Sequence, residues 1–149
     1  MERVEEGLVS KFIFKPSVPA VAARALKKEL KAYEWLVPGW CQRVHIDWAS
    51  QGSNDGTLIT STTLYEYRAV KLTFFPQFFD EVGNKQEQVI HDLLHAFAAP
   101  LADFAYDTID RLVPPEEAPK FRDALLEELR VRNESFVQDL AHCLASKLA

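Results

Sequence analysis

The spacing of apolar residues changes period between residues 40 and 90, and that change limits the chain to folds in which short strands precede long helices. Across residues 40–49, Val44, Ile46 and Trp48 alternate with His45 and Asp47, the period-two pattern of a half-buried strand. Gln51-Gly52-Ser53-Asn54-Asp55-Gly56 has the composition of a turn. Residues 57–64, rich in Thr, Ile and Leu, predict a second strand, and residues 67–75 a third that ends at Pro76. Beyond Gly83-Asn84 the period lengthens: Val89, Ile90, Leu93, Leu94, Phe97 and Leu101 recur at helical spacing. Asn84 with Glu87 three residues on has the form of a capping box. Pro100 should kink this helix without ending it, because the pattern resumes at Phe104. Pro114, Pro115 and Pro119 mark the next boundary. A final helix is expected over residues 120–148, with Phe121, Leu125, Leu129, Phe136, Leu140 and Leu144 as its apolar stripe.

Upstream, Ser17 and Pro19 open a helical stretch to about residue 36, stopped by Pro38-Gly39. Residues 1–16 show no period and read as a tail or a short edge element. No internal repeat or linker divides the chain. The 149 residues therefore predict one α+β domain: an N-terminal helix, a short three-stranded and mostly antiparallel sheet, then two long helices. A chain of this length can bury about 68–70% of its unfolded surface, enough for a core without staples.

Charge narrows the partners. The formal net charge is −5, and a duplex or RNA footprint needs a basic face to displace counterions. Lys27, Lys28 and Lys31 read as a solvated helix face. No apolar run approaches the ~18 residues of a membrane span, and Met1-Glu2-Arg3-Val4-Glu5-Glu6 lacks the basic start and apolar middle of a signal peptide. A cytoplasmic protein without nucleic-acid or membrane partners is expected. Cys41 and Cys143 lie far apart with no CxxC spacing, and read as reduced, buried thiols.

Chemistry concentrates in His91-Asp92-Leu93-Leu94-His95. Two histidines at i and i+4 lie one above the other, about 40° apart around the helix axis. Their imidazoles can converge on one tetrahedral ion at ~2.0–2.1 Å. Taking Ile90 as the centre of the apolar face, the pair sits about 100–140° away, at the edge of the core.

The segment from Glu87 to His95 resembles the active helix of the zincins, the zinc-dependent metallopeptidases with an H-E-x-x-H motif. More closely, the chain resembles small single-domain zincin-like proteins of phages and prophages. In these a short sheet precedes a V-x-H-E-L-L-H helix followed by Ala-Pro-Leu, as in Ala99-Pro100-Leu101. The strand Tyr67-Arg68-Ala69-Val70-Lys71-Leu72 and the closing segment from Glu134 to Ala141 also fit, so the likeness spans residues 40–149. The resemblance implies a minimal zincin-like fold, a Zn²⁺ ion on His91 and His95, and a peptide or protein substrate. It points to Glu134 as third ligand, since some zincins use a downstream glutamate. It also implies Asp92 as general base, in the place of the family's glutamate. There the carboxylate takes a proton from a metal-activated water and delivers it to the leaving amine. Aspartate is one methylene shorter, and a misplacement of ~1 Å can lower a rate ~10²-fold. Metal binding survives that change better than turnover, so a weakened enzyme and an inactive metal-binding descendant are both open.

Rival readings stand beside this one. Glu134 also fits an exposed surface glutamate, and Asp103 and Asp107 are rival third ligands. His142 reads as exposed, His45 and Asp47 as sheet-surface polar residues, and Tyr65, Tyr67 and Tyr106 as packing residues with a polar tip. A different class of function is a non-catalytic interaction module in which the two long helices present a binding or dimer face. An HD phosphohydrolase reading of His91-Asp92 is disfavoured, because the only upstream histidine, His45, lies in a predicted strand.

Overall fold

The structure, a computed structural model, describes residues 10–81 and 83–148. Strand β1 covers Phe12–Phe14 and helix α1 Ala20–Leu30, which tightens into a 3₁₀ segment over Lys31–Leu36. Strands β2 (Arg43–Trp48), β3 (Ile59–Leu64) and β4 (Ala69–Phe74) follow, then the long helices α2 (Lys85–Leu112) and α3 (Pro119–Leu148). The α+β class stands, with the strands ahead of the long helices.

The sheet corrects the expectation of three mostly antiparallel strands. It has four, in the order β1-β2-β4-β3. β1 and β4 both run parallel to β2, and only β3 against β4 is antiparallel. β4 is buried along one face through Val70, Leu72 and Phe74, with Ala69 buried and Lys71 and Thr73 half-buried on the other. β3 carries Thr60, Ser61, Thr62 and Thr63, alternates between exposed and half-buried, and takes the edge. The added strand lies within the stretch read as tail or edge element. Its three residues are too few to show a period, while residues 1–9 of that stretch fall outside the described ones.

Two expected caps do not form. Ser17 donates to Asp47 Oδ1 at 2.9 Å and so ties the β1–α1 link to β2, leaving Pro19 at the helix start without a side-chain cap. Asn84 makes no capping hydrogen bond, and Glu87 accepts from Gln138 of α3. Tertiary partners have taken both side chains from their local roles.

Inside this framework Val44, Ile46, Leu72 and Phe74 pack with Leu26 and Leu30 of α1 and with Ile90 and Leu93 of α2. The helix α2 runs unbroken through Pro100. Proline has no N–H, so the carbonyl of Ala96 loses its i+4 donor. Trp40 replaces it, its indole Nε1–H donating to Ala96 O at 2.8 Å. The contact fixes the helix one residue past His95.

α3 departs furthest from its predicted face. Its buried residues are Val137 and Ala141, whereas Phe121 and Phe136 of the expected stripe are exposed. Leu125, Leu129, Leu140 and Leu144 of that stripe are half-buried, Leu140 and Leu144 packing against the core, so the inward face is centred on Val137 and Ala141 with the leucines at its flank. Among the described residues, no helix is long and apolar enough to cross a membrane.

Candidate metal centre

His91 and His95 stand one turn apart on α2 with their Nε2 atoms 3.1 Å apart. Glu134 reaches them from α3: Oε2 lies 3.5 Å from His91 Nε2, and Oε1 3.5 Å from His95 Nε2. Packing explains the approach. Val137 and Ala141 follow Glu134 at i+3 and i+7, so all three share one helical face, and the two apolar members are fully buried. Two ligands held at ~2.0–2.1 Å by a tetrahedral ion are roughly 3.3–3.4 Å from each other. The imidazole pair and the contact of each ring with one Glu134 oxygen lie near that spacing. Among the described residues, this is the one group of three His, Cys, Asp or Glu side chains close enough to share an ion.

The site is dry beneath and open above. The histidine side chains are 15% and 18% exposed, that of Glu134 46%, which leaves a position accessible from solvent, as catalytic zinc sites require. Burial pushes the His95 imidazole below its ordinary pKa; the nearby Glu134 carboxylate opposes this, and His91 adds to it. His91 Nδ1 is buried without a hydrogen-bond partner among the described residues. A small recess lined by Asn84, Glu87, Gln88 and Gln138 borders that ring.

Asp92 is buried at the floor of the cleft that the ligand cluster lines. It is 4% exposed and is the buried charged side chain of the described core. Its Oδ2 accepts from Gln88 Nε2 at 2.8 Å, and Ser61 of β3 lines the cleft beside it. Burial pushes its pKa up to about 6; the Gln88 hydrogen bond and the His91 ring pull the other way. Gln88 and Ser61 were not singled out by sequence reasoning. Gln88 has a signal, since it lies at i−4 from Asp92 on the same helical face. Ser61 has none, because only the docking of β3 on α2 brings it near.

Both histidines, Asp92 and Glu134 line one cleft of about 570 Å³ between the edge strand β3 and the two long helices. Ser61 and Thr63 form its β3 wall, and Asp103 and Tyr106 close its far end. Asp103 is thus in the cleft but outside the ligand group, its carboxyl held above the usual range by burial and by Asp107. Asp107 is exposed. His142 is exposed on α3, 3.4 Å from the Glu87 carboxylate and apart from the ligand group. His45 and Asp47 do not pair; Asp47 binds Lys15 Nζ at 2.9 Å and is lowered to about 2 chiefly by that contact. Tyr65 packs edge-on to Trp40, Tyr67 is exposed, and Tyr106 alone of the three reaches the cleft with the metal ligands. Of the two thiols, Cys41 is buried as expected, but Cys143 is exposed on the outer face of α3.

Compared with protein-family models, with curated proteins and with solved structures, the chain matches none.

Proposed function

We propose that this protein is a zincin-like, zinc-dependent hydrolase of peptide bonds, with the metal held by His91, His95 and Glu134. The observation that carries the reading is the convergence of His91, His95 and Glu134 from two helices, with the imidazole Nε2 atoms 3.1 Å apart and each 3.5 Å from one oxygen of the Glu134 carboxylate, near the ~3.3–3.4 Å between ligands of a tetrahedral zinc ion. The donor set, two imidazoles and one carboxylate with an open side, is that of hydrolytic zinc sites. Zinc bound there supplies a Lewis acid that polarises a carbonyl and lowers the pKa of water toward ~7.

The chain's own residues divide the remaining work. Asp92 follows the first histidine and lines the cleft, placed to take a proton from water and return it to the leaving amine. Gln88 orients its carboxylate. β3 is the edge of the sheet and forms one wall of the cleft. An extended peptide can pair with its free backbone groups and so bring a scissile bond past the histidines. The Thr and Ser side chains of that wall set no charge requirement of their own.

A second reading keeps the metal without turnover. It is favoured by Asp92 being one methylene short, buried, and held by the Gln88 hydrogen bond.

Metal content of the purified protein, measured by mass spectrometry beside His91→Ala/His95→Ala, tests the site. About one zinc per chain, lost in the double variant, is expected; no zinc after metal is supplied and the excess removed refutes it. Asp92→Glu with a generic protein substrate separates the two readings. Restoring the longer carboxylate should raise hydrolysis by up to ~10²-fold in a weakened enzyme, and leave a metal-only protein inactive.

A further inference from the structure

Phe97 and Leu101 of α2 and Phe136 of α3, expected to face inward, instead contribute to a second surface. Trp35, Phe97, Leu101 and Phe136 line an apolar groove of about 690 Å³ at the junction of the two long helices with the 3₁₀ segment. They are 58%, 51%, 76% and 60% exposed, and Phe104, one turn beyond Leu101 on the same helical stripe, is 63% exposed. With ~150–250 Å² for each large side chain, these five leave roughly 600 Å² of apolar surface in contact with water. That reaches the top of the ~300–600 Å² range for the largest patch of a monomer. A standard interface covers ~800 Å² per partner and is about 65% apolar in homodimers, hence roughly 520 Å². The patch supplies that area.

We infer that this face binds a second copy of the chain, two α2–α3 hairpins meeting about a two-fold axis. Self-association through one patch requires a surface that is complementary to itself. Here a projecting ridge, Phe97-Leu101-Phe104 on α2, runs beside the groove whose far wall is Phe136, Leu140 and Leu144 of α3. The ridge of each copy can enter the groove of the other. Charge permits it: Arg132 is the one charged residue lining the groove, and its Nε already donates to Glu128 Oε1 at 2.6 Å on its own helix. Two copies therefore meet without opposing unpaired like charges. The dimer leaves the metal cleft open, because of the residues named for both cavities only Ala102 and Asn133 are shared.

Sedimentation velocity on the full chain from ~1 to ~100 µM tests this, since interfaces of this size hold from micromolar to far tighter. The expected species has twice the 17.0 kDa chain mass. Leu101→Glu, on a side chain already 76% exposed, should keep the circular dichroism of the parent and dissociate the dimer. A two-fold interface contains each substitution twice, so a ~30-fold loss per site becomes about 1,000-fold in the dissociation constant. Val21→Glu, 80% exposed on α1, should leave the dimer intact. A 17.0 kDa monomer throughout the range overturns the inference. So does a dimer that survives both Leu101→Glu and Phe136→Glu, or one dissociated equally by Val21→Glu.

Discussion

Trp40→Phe should destabilise the protein by more than its lost bulk, and the excess should disappear when Pro100 is replaced by alanine. Pro100 removes the helical donor to Ala96 O, and its ring pushes that carbonyl outward. Ala96 is 1% exposed, so water cannot serve as the substitute. The Trp40 indole N–H fills the place at 2.8 Å. Phenylalanine has no donor and strands a buried carbonyl, at ~1–3 kcal/mol. It also weakens the edge-on contact with Tyr65 at 4.9 Å, where aromatic pairs contribute ~0.5–1.5 kcal/mol. In Pro100→Ala the backbone N–H of residue 100 returns, and Ala96 O keeps a partner whatever stands at 40. The Tyr65 contribution and the unfolded-state effect of removing a proline are common to both arms of the cycle and cancel. Urea denaturation of the parent, the two single variants and the double variant should therefore give a coupling energy of ~1–2 kcal/mol, with Trp40→Phe milder in the alanine background. Coupling below ~0.5 kcal/mol, the usual error of additivity, would refute the assignment of Trp40 as surrogate donor.

Two further outcomes follow from the packing of α3 and the tether of β1. Ala141→Leu places a large side chain at a fully buried contact between α3 and the rest of the fold; overpacking should cost ~1–3 kcal/mol in urea denaturation. The same variant should move Glu134, two turns away on the same face, and weaken zinc binding by at least ~10-fold in calorimetry; parental affinity would dissociate α3 docking from the site. Asp47 titrates at about 2 in the folded chain against 3.8 ordinarily, so its ion pair with Lys15 stabilises above pH ~4 and is lost as pH falls toward ~2. The side chains are 42% and 24% exposed, which limits the effect of Lys15→Ala to ~0.2–1 kcal/mol near neutrality; the difference from the parent should shrink between pH 5 and 3, and a difference constant over that range excludes the linkage.

Local pattern accounts for much of what the sequence disclosed. His91 and His95 are neighbours because 3.6 residues make a turn, whatever surrounds the helix, and their Nε2 atoms do meet at 3.1 Å. The alternation of Val44 and Ile46 with His45 and Asp47 is likewise a property of the strand itself, and both apolar residues are buried. The capping box at Asn84 and the cap at Ser17 were legible as motifs, but each competed with partners from distant segments and lost. Strand order was not legible. Three short apolar runs carry no statement of which neighbours pair, and the wholly apolar β1 lies at an edge while β4, with Lys71 and Thr73, is interior.

Periodicity by itself determined the element types, the α+β class and the paired imidazoles, because those depend on contacts within four residues. Tertiary structure decided which face of α3 turns inward, and with it two properties of the protein. Val137 and Ala141 are the centre of the inward face, with Leu140 and Leu144 packed at its flank, and this carries Glu134 to within 3.5 Å of both histidines. The same rotation leaves Phe136 in water beside Phe97 and Leu101. A helix can present only one side to its neighbour, and here that side is centred on Val137 and Ala141, so the leucines flank the contact and Phe121 and Phe136 fall outside it.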